Sequence, residues 1–93
     1  MMSLNYYRDE AGDFMERINA SDGCTEDKIK MLDEEYKLLK ESINNPEKLR
    51  HQIYDMVFIL FEIAFDYGFD IEAEWIKGKE KKQKKYIENS YIE

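Results

Sequence analysis

The sequence predicts an all-α protein, a four-helix bundle whose core is completed by oligomerisation. Apolar residues recur at spacings of three and four in four successive segments, which is the period of amphipathic helices. The chain has one proline and four glycines, and Pro46 and Gly68 stand at breaks between predicted helices. Its 93 residues suffice for a single domain, residues 1–93, with a thin core. Because the single cysteine cannot form a disulfide within the chain, we expect contact between copies to add stability.

The first predicted helix covers residues 4–18. Residues at spacings of three and four define its apolar face, which consists of Leu4, Tyr7, Ala11, Phe14 and Ile18. Gly12 lies inside this helix, where glycine costs about 1 kcal/mol relative to alanine. The segment 19–23 has the composition of a turn and separates this helix from the next one.

The second predicted helix covers residues 26–44. Thr25 is a favoured N-cap, and Asn44 and Asn45 are favoured where a helix ends. Its apolar stripe consists of Ile29, Leu32, Tyr36, Leu39 and Ile43. With this stripe buried, Glu34 points to solvent and Glu35 lies at the margin of the buried face.

The third predicted helix covers residues 46–67 and is apolar on almost every side. Pro46 suits its first position and Gly68 its C-terminal end. A helix that is apolar all round is buried all round, and the other helices of one short chain cannot cover it. This is the main reason to expect a homodimer or a homotetramer. The polar exceptions share one narrow strip, which consists of Gln52, Asp55, Glu62 and Asp66.

The fourth predicted helix covers residues 70–87, with Asp70 as its N-cap. We expect Ile71, Trp75 and Ile76 to pack inward. Beyond Lys77 the apolar pattern thins to Tyr86, Ile87 and Tyr91, so the last turns are expected to fray.

Charge is divided unevenly along the chain, whose net charge is −7. Residues 1–75 carry 8 Lys and Arg against 18 Asp and Glu, whereas residues 76–93 carry 6 Lys against 3 Glu. The acidic part argues against binding to a nucleic-acid polymer and is compatible with binding divalent cations. No apolar run approaches the roughly 20 residues that span a membrane, so we expect a cytoplasmic protein without a membrane partner.

Two acidic segments in the middle of the chain resemble a known family. Residues 32–41, which include Asp33-Glu34-Glu35, are similar to the Glu-Glu-x-x-Glu helix of the MazG-like all-α nucleotide pyrophosphohydrolases. Residues 47–57 are similar to the Glu-x-x-Asp helix of that family. The ending also resembles it, since Tyr67-Gly68-Phe69-Asp70 precedes a Lys-rich helix that runs to Tyr86. The resemblance covers roughly residues 25–86.

The resemblance implies a MazG-like helical bundle that cleaves nucleoside triphosphates to monophosphate and pyrophosphate with Mg²⁺ or Mn²⁺. Carried over by position, the four acidic ligands of the family fall at Glu35, Leu38, Gln52 and Asp55. Leu38 cannot bind a metal, and Gln52 offers a neutral oxygen, so the implied metal site is partly degenerate. Glu41 lies one turn from Leu38 and can reach in from that end.

The resemblance also places basic residues near the triphosphate, namely Lys81, Lys82 and Lys85. The other interpretation of these lysines is a solvated helix face. Similarly, Glu35 and Asp55 are either metal ligands or boundary carboxylates paired with lysine. His51 is either a surface residue or a phosphate contact. Aromatic residues of the third helix form either the core and an oligomer interface or a wall for a nucleobase.

Two functions therefore stand open from the sequence. The first is a MazG-like hydrolase that binds or hydrolyses (d)NTPs with Mg²⁺ or Mn²⁺. The second is a non-catalytic helical oligomer that serves as an interaction or regulatory module. The absence of acidic residues at positions 38 and 52 is what keeps the second function open.

Overall fold

The computed structural model describes residues 2–88, which form an all-helical, bundle-like arrangement without strands in this part of the chain. The α-helices are α1 (Leu4–Arg17), α2 (Thr25–Glu41), α3 (Pro46–Tyr67) and α4 (Ile71–Lys82), and α4 continues into a π-helical segment, Gln83–Glu88. Helix α3 is central, because α1 and α2 both pack on it, whereas α4 contacts α1. Tyr91 lies outside the described residues. None of these helices is long and apolar enough to cross a membrane.

Local capping chemistry explains where most helices begin and end. The side chains of Ser3, Asn45 and Asp70 accept hydrogen bonds from the first turns of α1, α3 and α4. Pro46 is the first residue of α3, and Gly68 ends that helix with φ of 64°, a left-handed conformation that glycine adopts without strain. The starts and the stop predicted from Pro46, Gly68 and Asp70 are confirmed.

Helix α2 differs from its predicted bounds at both ends. Its N-cap is Cys24, which makes no side-chain capping bond, and Thr25 is the first helical residue. The helix ends at Glu41 instead of residue 44. Ser42 Oγ donates to the carbonyl oxygen of Leu38 at 2.7 Å and occupies one of the last free carbonyls. The chain then turns so that Asn45 can cap α3.

The buried face of α2 is rotated by one residue from the predicted stripe. It consists of Lys28, Leu32, Glu35, Leu39 and Ser42. The predicted members Ile29, Tyr36 and Ile43 are exposed instead, Ile43 by 69%. Two polar members of this face have partners, since Lys28 pairs with Asp66 and the Ser42 hydroxyl bonds to the backbone, whereas Glu35 Oε2 has no hydrogen-bond partner.

Helix α1 packs closely on α3 through Gly12, which is fully buried. A Cβ added to Gly12 would lie 2.2 Å from Cγ of Phe65, much closer than any real contact. The residue expected to weaken α1 therefore allows it to approach α3. Tyr7, Phe14 and Ile18 of the predicted apolar face stay largely exposed.

The beginnings of α1 and α4 cap each other. Asn5 Nδ2 donates to Asp70 Oδ1 at 2.9 Å, and Asn5 Oδ1 accepts from the backbone N–H of Ile71 at 2.9 Å. In return, Glu72 Oε1 accepts from the backbone N–H of Leu4 at 2.9 Å. The hydrogen bond from Asn5, together with one from the first turn of α4, lowers the pKa of Asp70. The two helix starts are therefore joined by polar bonds.

The core formed by a single copy is small. Ala11, Ile59 and Ala64 are its fully buried apolar residues within the described part. Trp75, expected to pack inward, is 65% exposed, and Ile76 is also exposed. The expectation for Trp75 and Ile76 was wrong, because the hydrogen bonds that join α4 to α1 lie at Ile71 and Glu72 and both later side chains remain exposed.

Candidate functional site

A cavity of about 400 Å³ opens between α1, α2 and α3. Its walls combine aromatic, thioether and carboxyl side chains: Phe14, Met15, Met31, Glu35, Tyr54, Asp55, Phe58, Ile59 and Glu62. Cavities of this size, largely apolar with a few polar groups, are typical of small-molecule sites. Two members of the polar strip predicted on α3, Asp55 and Glu62, line this cavity, whereas Gln52 and Asp66 do not.

The two carboxylates predicted as metal ligands both line this cavity. Glu35 comes from the buried face of α2, and its Oε2 atom is fully buried without a hydrogen-bond partner. Asp55 comes from α3, where its side chain is 29% exposed. Its Oδ2 atom lies 3.1 Å from Nε2 of His51, one turn earlier on the same helix and largely exposed. The structure thus places Glu35 and Asp55 in the lining of one cavity and adds His51 as a partner for Asp55.

The other two family positions, Leu38 and Gln52, border a second cleft of about 510 Å³ where α2 meets the start of α3. The remaining walls of this cleft come from charged and polar side chains: Glu41, Ser42, Glu47, Lys48 and His51. Gln52 Oε1 is buried and has no hydrogen-bond partner. Glu41 therefore lies near Gln52 and outside the lining of the cavity that contains Glu35 and Asp55.

The residues present fit a divalent cation in one specific manner. No three His, Cys, Asp or Glu side chains within residues 2–88 lie close enough together to hold a metal ion. Mg²⁺, however, usually keeps several waters and is bound by one or two carboxylates together with substrate phosphates. Glu35 Oε2 and Gln52 Oε1 are the buried side-chain atoms without hydrogen-bond partners in the described chain. A cation that arrives with phosphate fits the Glu35 and Asp55 carboxylates of the cavity, whereas a preformed cage of carboxylates is not found within residues 2–88; the Gln52 oxygen lines the second cleft.

A buried charged cluster of Lys28, Asp66 and Glu62 adjoins the cavity through Glu62. Lys28 is 4% exposed and forms a salt bridge with Asp66. Glu62 lies one turn before Asp66 on α3, is 4% exposed and lines the cavity. Burial raises the pKa of Glu62, and the attraction of Lys28 opposes this shift only in part.

Lys81, Lys82 and Lys85 do not line the cavity. All three are exposed on α4 and the π-helical segment, and α4 packs on α1. The described residues of one copy do not bring these lysines to Glu35 and Asp55.

Several cavity residues were missed from the sequence. Phe14 was assigned to the core-facing side of the first helix, and Met15 and Met31 were assigned no role, yet all three line the cavity. The sequence spacing could have placed Lys28 on the buried face, since it lies four and seven residues before Leu32 and Glu35 on the same side of the helix. The apolar stripe favours a different face instead.

Comparisons of this chain with protein-family models, with curated proteins and with solved structures gave no match. The function of this chain is therefore inferred from the geometry of the cavity and from the motif resemblance in residues 25–86.

Proposed function

We propose that this protein binds nucleoside triphosphates together with Mg²⁺ or Mn²⁺ in the cavity between α1, α2 and α3, and hydrolyses them to monophosphate and pyrophosphate. One observation carries the proposal. Glu35 and Gln52 stand at metal-ligand positions of the MazG-like motifs. Glu35 Oε2 and Gln52 Oε1 are also the buried side-chain oxygens of the described residues that lack hydrogen-bond partners. Burying a polar atom without a partner is unfavourable, so a ligand that binds these oxygens is stabilised.

Different side chains have different roles in binding the cation and in hydrolysing the nucleotide. Asp55 and Glu35 would supply the oxygen donors that a hard cation prefers in the cavity, and the Gln52 amide oxygen lies in the second cleft. A cation held by Asp55 and Glu35 would neutralise phosphate charge and make a bound water more acidic. Glu35 Oε2 is an available acceptor for the proton of a water that attacks the α-phosphorus, with the bond to the departing pyrophosphate oxygen breaking. His51 orients the Asp55 carboxylate from the outer side.

Binding of cation and nucleotide is expected to be mutually dependent. Two carboxylates provide too little charge for tight binding of the cation alone. The phosphates of a nucleotide complete its shell, and the cation in turn relieves the repulsion between phosphate and carboxylate. We therefore expect weak binding of either component alone and clear binding of both together.

Calorimetry with a non-hydrolysable α,β-imido nucleotide tests this expectation, with and without Mg²⁺ or Mn²⁺. Glu35→Gln and Asp55→Asn should each weaken cation-dependent binding roughly tenfold or more, because neutral amides replace charged ligands. Glu34→Gln is the matched control, since Glu34 is the neighbouring carboxylate on α2 and is exposed. Analysis of products from natural NTPs and dNTPs adds the catalytic readout. Equal binding by all three variants and the parent would refute the site.

A second candidate function is supported by the exposed apolar surface of the central helices. Ile29 and Tyr36 on α2 and Ile43 in the connection after it are exposed and recur every seven positions, and on α3 the exposed residues include Ile53 and Leu60. Such contiguous apolar lines are typical of association between protein chains. We propose that the chain forms a homodimer or homotetramer through them, whether or not the cavity is catalytic.

Analytical ultracentrifugation across protein concentration tests the association. A folded oligomer gives a melting temperature that rises with concentration, because association stabilises the folded state by mass action. Ile43→Lys should lower the association constant with the helices intact, whereas Asp13→Lys, an exposed change on α1, serves as the charge control. A monomer at all concentrations would exclude this proposal.

A further inference from the structure

Glu62 has a property that the proposed function does not use. Its side chain is 4% exposed, and it lines the cavity beside Phe58 and Ile59. Lys28 forms its salt bridge with Asp66, and no hydrogen bond or salt bridge to Glu62 is found within residues 2–88. Lys28 attracts the Glu62 carboxylate without a hydrogen bond to it, so the cost of burying this charge is only partly offset. Donors brought by a bound molecule would relieve that cost.

The walls next to Glu62 suit a flat ring. Phe14 and Phe58 meet edge to face with their ring centres 5.8 Å apart, and Tyr54 lies 6.1 Å from Phe58. Aromatic side chains of this kind stack on nucleobases, because every base has a π-face. Met15 and Met31 fill the remaining sides with deformable apolar groups.

The spacing of two carboxylates along α3 defines one end of the cavity for the phosphates of a nucleotide and another end for its base. Asp55 and Glu62 are seven residues apart on one face of the helix, which corresponds to about 10.5 Å along its axis. This length is comparable with the distance in a nucleotide from the Watson–Crick edge to the α-phosphate. A nucleotide whose phosphates meet Asp55 therefore places its base edge near Glu62.

We infer that Glu62 selects the base, and that it selects guanine by accepting the two adjacent N–H groups on the Watson–Crick edge of that base. This inference rests on the proposed binding of nucleotides in the cavity. A carboxylate has only acceptors, so it matches the N1–H and N2–H donors of guanine in parallel. Adenine and cytosine each present one donor beside one acceptor. That acceptor would face a carboxylate oxygen, and two acceptors repel each other. Hypoxanthine keeps N1–H and lacks the amino group.

The expected order of affinity is guanine first, hypoxanthine second and adenine last. Hydrogen bonds to a charged group contribute enough that loss of one changes affinity roughly tenfold or more. The measurement is calorimetry at pH 7.5 with the α,β-imido analogues of GTP, ITP and ATP, each with Mg²⁺.

Glu62→Gln is the decisive variant. A glutamine amide offers one acceptor and one donor, which matches N6–H and N1 of adenine and mismatches the adjacent N1–H and N2–H donors of guanine. The variant should lose affinity for the guanine analogue roughly tenfold and gain affinity for the adenine analogue. Asp66→Asn is the matched control, because Asp66 also neighbours Lys28 but does not line the cavity. It should leave the order of the three bases unchanged.

The outcomes separate this inference from the proposed function. Cation-dependent binding with no preference among the three bases overturns the role of Glu62 and leaves nucleotide binding in place. An equal loss for every base in Glu62→Gln, matched by Asp66→Asn, assigns both residues to the stability of the Lys28 cluster and overturns the inference as well. No binding of any analogue overturns both proposals. A base preference that shifts from guanine to adenine in Glu62→Gln, and not in Asp66→Asn, supports the inference that Glu62 selects guanine.

Discussion

Replacing Gly12 with alanine tests how closely α1 packs on α3. The added Cβ would lie 2.2 Å from Cγ, 2.3 Å from Cδ2 and 2.4 Å from Cδ1 of Phe65. Because Cγ is the atom through which the ring joins the side chain, rotating the ring about its own axis cannot remove this overlap. Either the Phe65 side chain must leave its rotamer or α1 must move away from α3.

The expected magnitude is the difference between two opposing terms. Overpacking a well-packed contact costs about 1–3 kcal/mol, and an overlap with the root of a ring belongs at the upper end. Alanine in place of glycine inside a helix contributes about 1 kcal/mol in the opposite direction. The net loss in free energy of unfolding for Gly12→Ala is therefore about 2 kcal/mol. In a domain of this size such a loss lowers the melting temperature by roughly 8–16 °C.

Urea and thermal unfolding followed by circular dichroism measure this loss. Gly78→Ala is the control, since a Cβ at Gly78 in α4 meets nothing within 4 Å and should stabilise the chain by about 0.5–1 kcal/mol. Adding Phe65→Leu to Gly12→Ala should recover part of the loss, which a double-mutant cycle detects as a coupling between the two sites. Gly12→Ala with the stability of the parent would mean that α1 and Phe65 do not pack at this distance.

Three further changes probe other parts of the fold. Gly68→Ala should lower the free energy of unfolding by about 1 kcal/mol in urea titrations, because φ of 64° is left-handed and strains a residue with a Cβ. Lys28→Met should lower it by about 1–3 kcal/mol by leaving Asp66 without its partner, and adding Asp66→Asn should restore part of the loss. The lowered pKa of Asp70 means that its contribution to stability is present above the pKa of the unfolded chain and is lost as pH falls through the folded pKa. Asn5→Ala should raise the pKa of Asp70 in a carboxyl NMR titration and weaken the dependence of stability on acid pH; an unchanged pKa would contradict the role of Asn5.

Features governed by local chemistry could be predicted from the sequence. Pro46, Gly68 and Asp70 act through their own backbone preferences or through a side-chain bond to the next turn, so each signal is complete within a few residues. The polar strip that contains Asp55 and Glu62 was also visible, because helical spacing alone places its members on one face.

Features governed by pairing between helices could not be predicted in this way. The sequence pattern placed Ile29 and Tyr36 on the buried side of α2, but the partner of Lys28 lies 38 residues away on α3. The single-copy fold buries a mixed face of α2, with Lys28 beside Leu32 and Leu39, and leaves Ile29 and Tyr36 exposed. Trp75 illustrates the same limit, since its hydrophobicity predicts burial only if another helix lies opposite.

The reciprocal caps between α1 and α4 have a consequence for folding kinetics. Only residues 42–45 connect α2 to α3, whereas the bond from Asn5 to Asp70 spans 65 residues. Distant segments lose more chain entropy when they meet, and such contacts tend to form late. We expect the α2–α3 hairpin to form in the transition state and the caps after it. Weakening the caps should then accelerate unfolding with little effect on the folding rate, so the lifetime of the folded chain is controlled at the junction of α1 with α4.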